Sequence, residues 1–129
     1  MTVPEVADGP PSRFAVGSVA DFKMRTLTWL REHGLFVLRN EQGFGAISSR
    51  CTHLGCTVRR GADGFYCPCH GARFDAMGVV VEGPARDDLP WYKMWLEGDG
   101  VLWVDTSVQV EGQTVPMHLL RGDASGEQV

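Results

Sequence analysis

The chain has 129 residues, 43% of them hydrophobic and 22% charged, with a formal net charge of −4. That length fits one globular domain, whose small core gains from a metal or a disulfide. An acidic balance without any Lys/Arg run argues against nucleic acid and anionic membrane surfaces as partners. No apolar run approaches the roughly 18 residues of a membrane-spanning helix.

In chain order, residues 1–12 read as a flexible leader rich in Pro and Gly. Met1 to Arg13 lacks the basic start and apolar stretch of a secretory signal, so either none existed or an anchor and signal have been removed. From Arg13 on, short β-like runs alternate with Gly-containing turns, 16 Gly in all, which predicts an all-β domain over 13–111. Ser18 to Leu30 is ambiguous. Ser18 and Asp21 could form a capping box, but Thr26-Leu27-Thr28-Trp29 is rich in β-formers, and the balance favours a turn at 18–23 and a strand near 25–31. Leu35 to Arg39 and Phe44 to Ser48 predict a hairpin around residues 40–43. Gly64 to Tyr66 and Val79 to Glu82 are further strands, and Leu89 to Leu96 with Val101 to Asp105 form a second hairpin around Glu97-Gly98-Asp99-Gly100. The aromatic run Trp91 to Trp95 reads as a core strand. Asp87-Asp88 reads as a solvated turn, His33 and His118 as surface residues, and 112–129 as a loosely packed tail.

The chemistry is concentrated in two strings, Cys51-Thr-His53-Leu54-Gly55-Cys56 and Cys67-Pro-Cys69-His70-Gly71. Every cysteine of the chain lies in them, a clustering that signals a local metal or redox role. Each string offers a Cys and a His, and the connecting residues can form a hairpin that lets two loops pinch one inorganic centre. Two thiolates and two imidazoles suit tetrahedral zinc or a [2Fe–2S] centre of mixed ligation. In the latter, two ferric ions, two sulfides and two thiolates sum to zero, so an electron is accepted more readily than by a four-Cys cluster. Centres of this mixed kind run as a class from about −150 to +300 mV, against about −400 mV for plant-type ferredoxins. Four-Cys zinc ligation would need spacings that miss the usual knuckle pattern. The better reading pairs Cys56 with Cys69 as a disulfide, which would stiffen both loops and imply an oxidising compartment; two reduced, buried thiols are the alternative.

CTHLGC followed by CPCHG resembles the Rieske iron–sulfur proteins, specifically the disulfide-containing branch of cytochrome bc-type quinol-oxidising complexes. The likeness extends over Phe74-Asp75, Gly78 and Gly83-Pro84-Ala85, and more loosely from Phe36 to Asp105. It implies an all-β, Rieske-like antiparallel β-sandwich with a small inserted cluster-binding subdomain near 50–85. It implies that Cys51 and Cys67 hold the buried iron, and that His53 and His70 bind the outer iron through Nδ1, side by side at one exposed end. Leu54, Gly55, Gly71, Ala72, Phe74, Gly83 and Pro84 would then surround the cluster, with Leu54 capping an apolar docking tip and Gly83-Pro84 shielding the centre. Two residues depart from the family's high-potential pattern. Where those members carry Ser and Tyr, both donating to sulfur, this chain has Ala72 and Phe74, which lowers the expected potential and suits a lower-potential quinol such as menaquinol.

The leading expectation is therefore a one-electron carrier with a Rieske [2Fe–2S] cluster, the iron–sulfur subunit of a bc-type quinol:cytochrome c oxidoreductase. Its partners would be membrane quinol, a cytochrome b subunit and a c-type cytochrome acceptor, on the extracytoplasmic face of a membrane. A soluble Rieske ferredoxin serving an oxygenase or reductase is the alternative, cytoplasmic in that case. A zinc-binding interaction module is a third.

Overall fold

A computed structural model describes residues 12–52, 55–85 and 87–116. Its eleven strands are β1 Arg13–Ser18, β2 Thr26–Leu30, β3 Leu35–Asn40, β4 Gly43–Ser48, β5 Arg59–Arg60, β6 Gly64–Tyr66, β7 Arg73–Asp75, β8 Val80–Glu82, β9 Trp91–Leu96, β10 Val101–Val110 and β11 Val115–Pro116. The helical content among the described residues is two single 3-10 turns, Val19–Asp21 and Arg31–His33. The all-β expectation holds, and the ambiguous segment resolves as a turn followed by a strand.

All pairings are antiparallel. A seven-stranded sheet runs β1-β10-β9-β4-β3-β2 with β11 added on β4, and a four-stranded sheet runs β5-β6-β7-β8. Strands β4 and β9 pair directly, Ala46 with Tyr92 and Ile47 with Trp91. The chain between them therefore leaves the large sheet, builds the small one and returns. Asn40 opposes Gly43 across the first hairpin, and the Asn40 side chain caps the two-residue loop by accepting from Gln42 N–H at 2.9 Å.

Period-2 alternation explains the continuous apolar run of β3. Leu35 and Val37 join Phe44, Ala46, Met94, Leu102 and Val104 in one core. Phe36, pointing the other way, joins Ile47, Phe65, Phe74, Leu89 and Trp91 in a second. Both faces of β3 and β4 are thus covered, and each fully buried Leu, Ile or Phe stabilises by about 1.5–3 kcal/mol. Phe36 meets Phe65 of the small sheet at 5.1 Å between ring centroids, which fastens the excursion to the large sheet.

Two expectations need correction. Residues 112–116 are not loosely packed: Val115 pairs with Phe44 and is 1% exposed, while Gln113 Nε2 donates to Asn40 Oδ1 and the Gly43 carbonyl. β10 also continues past Asp105 to Val110, through a bulge between Asp105 and Gln109. Residues 1–11 of the expected leader, and 117–129 with His118, lie outside the described residues.

Candidate metal centre

β4 delivers the first of the two Cys/His loops, and β6 delivers the second. Cys51 follows the end of β4, where Arg50 bridges to Thr57 across the loop; Cys67 directly follows β6. Both loops close by the same backbone pattern. Cys51 N–H donates to the Cys56 carbonyl at 2.6 Å and Gly55 N–H to the Cys51 carbonyl at 2.8 Å. In the second loop, Cys67 N–H donates to the Ala72 carbonyl at 2.8 Å and Gly71 N–H to the Cys67 carbonyl at 2.9 Å. The glycine completing each turn has positive φ, 79° at Gly55 and 82° at Gly71, a conformation that a side chain would strain. The described ends of the two strings thus share one mode of closure.

Burial sorts the donors. Cys51 and Cys67 are 3% and 1% exposed and belong to the second core, whereas His70 is exposed at the surface. Cys56 and Cys69 form a disulfide with a Cα–Cα distance of 6.6 Å, joining loop to loop. The Cys67 sulfur and both bridge sulfurs lie within 4.8 Å of one another. His53 and Leu54 lie outside the described residues, so the expected adjacency of the two histidines does too.

Ala72 is 0% and Phe74 2% exposed, packed in the core that holds both buried cysteines. Gly83 lies against the second loop: a Cβ there would come within 2.5 Å of Ala72 Cα and 2.9 Å of the Gly71 carbonyl, so only glycine fits this approach. Pro84 is exposed beside it. The same segment reaches the first loop through a contact the sequence did not reveal, Thr52 Oγ1 donating to the Asp87 carbonyl at 2.6 Å. Asp88, expected to be solvated, accepts from Val80 N–H at 2.9 Å and fixes the start of β8. Gly83 and Asp87 therefore tie this segment to both loops. No local motif announces this, because each partner is far away in sequence.

The donor chemistry fits a [2Fe–2S] centre of mixed ligation: buried thiols on two loops, an imidazole on the solvent side, and a bridge that occupies the other two sulfurs.

A family model described as the Rieske [2Fe-2S] domain matches residues 12–93. The cytochrome b6-f complex iron-sulfur subunit of Synechococcus sp. (strain WH7803) is 46% identical over 69 residues, covering 50% of this chain and 39% of that protein. The protein of the same name from Chlorobaculum thiosulfatiphilum is 38% identical over 73 residues, covering 55% and 40%. The chain thus matches about two-fifths of the length of these relatives. Among solved structures, the cyanobacterial plasma membrane Rieske protein PetC3 from Synechocystis PCC 6803 aligns at TM-score 0.49 and 32% identity, covering 71% of this chain and 98% of that one. A chain from the complex of reduced oxygenase and oxidized ferredoxin in carbazole 1,9a-dioxygenase aligns at TM-score 0.53 and 21% identity, covering 79% and 100%, a likeness of fold alone.

Proposed function

The chain belongs to the Rieske [2Fe–2S] domain family, and from that premise we propose that Cys51, His53, Cys67 and His70 hold the cluster of a quinol-oxidising complex. When bound, the cluster supplies one-electron redox chemistry at a comparatively high potential. Cys51 and Cys67, both buried in an apolar core, would hold their share of the cluster away from water. His70 stands in solvent, where an imidazole bound through Nδ1 can accept, hold and release a proton at Nε2. The exposed end would receive an electron and a proton together from a quinol, and release the electron to a c-type haem.

The observation that carries this reading is the Cys56–Cys69 disulfide. It ties the two loops together, as the resemblance to the disulfide-containing branch implies, and supports an oxidising compartment such as the extracytoplasmic side of a membrane. The relatives named as b6-f iron-sulfur subunits support membrane cytochromes as partners. No helix among the described residues is long and apolar enough to cross a membrane. One observation favours the alternative, a soluble ferredoxin feeding an oxygenase or reductase: Ala72 and Phe74 offer the cluster no side-chain donor.

Two measurements on matured protein test the proposal. Paramagnetic resonance of the reduced form should carry the signature of mixed Cys/His ligation, and a redox titration should give a midpoint above that of four-Cys clusters. Mass spectrometry without reductant should find Cys56 and Cys69 joined. Two alkylatable thiols there would move the assignment to the ferredoxin, and absent iron and acid-labile sulfide would end both readings.

A further inference from the structure

Beside the first Cys/His loop lies a concavity of about 350 Å³ lined by Arg31, His33 and Arg50. Hydroxyl groups of Ser49, Thr57 and Thr106 also line it, and Glu32 is its single carboxylate. In a chain of net charge −4, two arginines border one hollow. The ion pairs among the described residues are Arg13–Asp105, Arg25–Glu41 and Arg73–Glu82; neither Arg31 nor Arg50 takes part in one.

The donors are also held in place. Arg31 sits over the Trp29 ring at 4.6 Å from its centroid, a stacking that leaves the edge N–H groups available. The His33 ring stacks on Phe14 at 3.9 Å with 10° between planes. The turn carrying both residues is closed by Gly34 N–H donating to the Arg31 carbonyl, and is fastened to the next wall by Ser49 N–H donating to the Gly34 carbonyl. Arg50 lies over the same turn, since a Cβ at Gly34 would be 3.7 Å from its Nε. Ordering cost, which usually weakens binding by flexible arginines, is thus partly met before any ligand arrives.

We propose that this hollow is a binding site for a small oxyanion of the phosphate type. Planar guanidinium forks match tetrahedral oxyanions bidentately, and the hydroxyl groups of Ser49 and Thr57 can donate to the remaining oxygens; that of Thr106 already donates to the Ser12 carbonyl. Gly55 forms part of the wall, and Arg50 directly precedes Cys51, so the site abuts the first loop. Resting on the Rieske assignment, this position gives the site a consequence. Reduction adds a negative charge nearby, so the oxidised protein binds the anion more tightly, and by reciprocity the anion lowers the midpoint potential.

Isothermal titration of the holoprotein with inorganic phosphate, against chloride at matched ionic strength, tests the site directly. Saturable binding is expected, weakened by about tenfold or more in Arg31→Gln and Arg50→Gln, as loss of one charge-assisted hydrogen bond implies. A midpoint that falls with phosphate in the wild type but not in either variant would establish the coupling. Binding that does not saturate, or that both variants retain in full, overturns the site. An unmoved midpoint alongside intact binding overturns the coupling. Failure of the cluster assignment would appear separately, as missing iron and sulfide with the phosphate isotherm unchanged.

Discussion

Ala72 and Phe74 are buried in the core that contains Cys51 and Cys67, and under the proposed assignment they would stand where a donor to sulfur has most effect. A hydrogen bond to a cluster sulfur stabilises the reduced, more negative state, so residues that cannot give one leave the potential low. Ala72→Ser and Phe74→Tyr should each raise the midpoint in protein-film voltammetry, and together by more than either alone. A potential indifferent to both would defeat the proposed placement of the cluster. Stability supplies a second readout, because a buried hydroxyl that finds no acceptor costs about 1–3 kcal/mol. At this scale the disulfide partners were legible, because chemistry restricts which residues can do such work. Thr52 and Asp88 were not. Their roles depend on a carbonyl and an N–H brought near by folding, and neither residue type singles itself out.

Among the elements, the segment from Gly83 to Asp88 carries the most consequence for its length. It meets the second loop at van der Waals distance through Gly83 and the first through the Thr52 hydrogen bond. Gly83→Val would push the second loop away, since its Cβ cannot coexist with Ala72 Cα at the present spacing. The expected result is faster loss of the cluster's visible absorption on incubation than in the wild type, with the large sheet's far-ultraviolet circular dichroism retained. Equal bleaching rates would show that the segment does not brace the loops. The hairpins β3–β4 and β9–β10 could be read in advance because apolar runs flank clear turn residues. β5 and β11 could not: Arg59–Arg60 has no apolar alternation, and Val115–Pro116 is two residues long and includes a proline, which usually argues against a strand. Edge positions tolerate both.

Over the whole molecule, the bulge in β10 is locked to β1. Asp105 accepts from the Ser107 hydroxyl at 2.6 Å and from Ser107 N–H at 2.9 Å, and Arg13 Nε lies 3.3 Å from its other oxygen. The Ser107 hydroxyl, then the Ser107 amide, with the Arg13 charge adding to them against the effect of burial, hold its pKa below the ordinary aspartate value of 3.8. A folded-state pKa that is lowered gives stability above the unfolded value, lost as pH falls through the folded one. Urea midpoints of wild type and Asp105→Asn should therefore differ at neutral pH and converge on acidification below the ordinary carboxylate range. A gap that stays constant with pH would assign the effect to packing instead.

The bridge between Cys56 and Cys69 also bears on which metal the protein acquires. A sulfur already bonded to sulfur is a poor donor, whereas three thiolates as close as these and Cys67 would make a ready trap for zinc or cuprous copper. Oxidation of the pair takes two of those three sulfurs out of contention and leaves Cys51 and Cys67 as the thiolates of the two loops. The order of events then matters: the crosslink limits the choice of ligands only if it forms before an ion reaches the thiols.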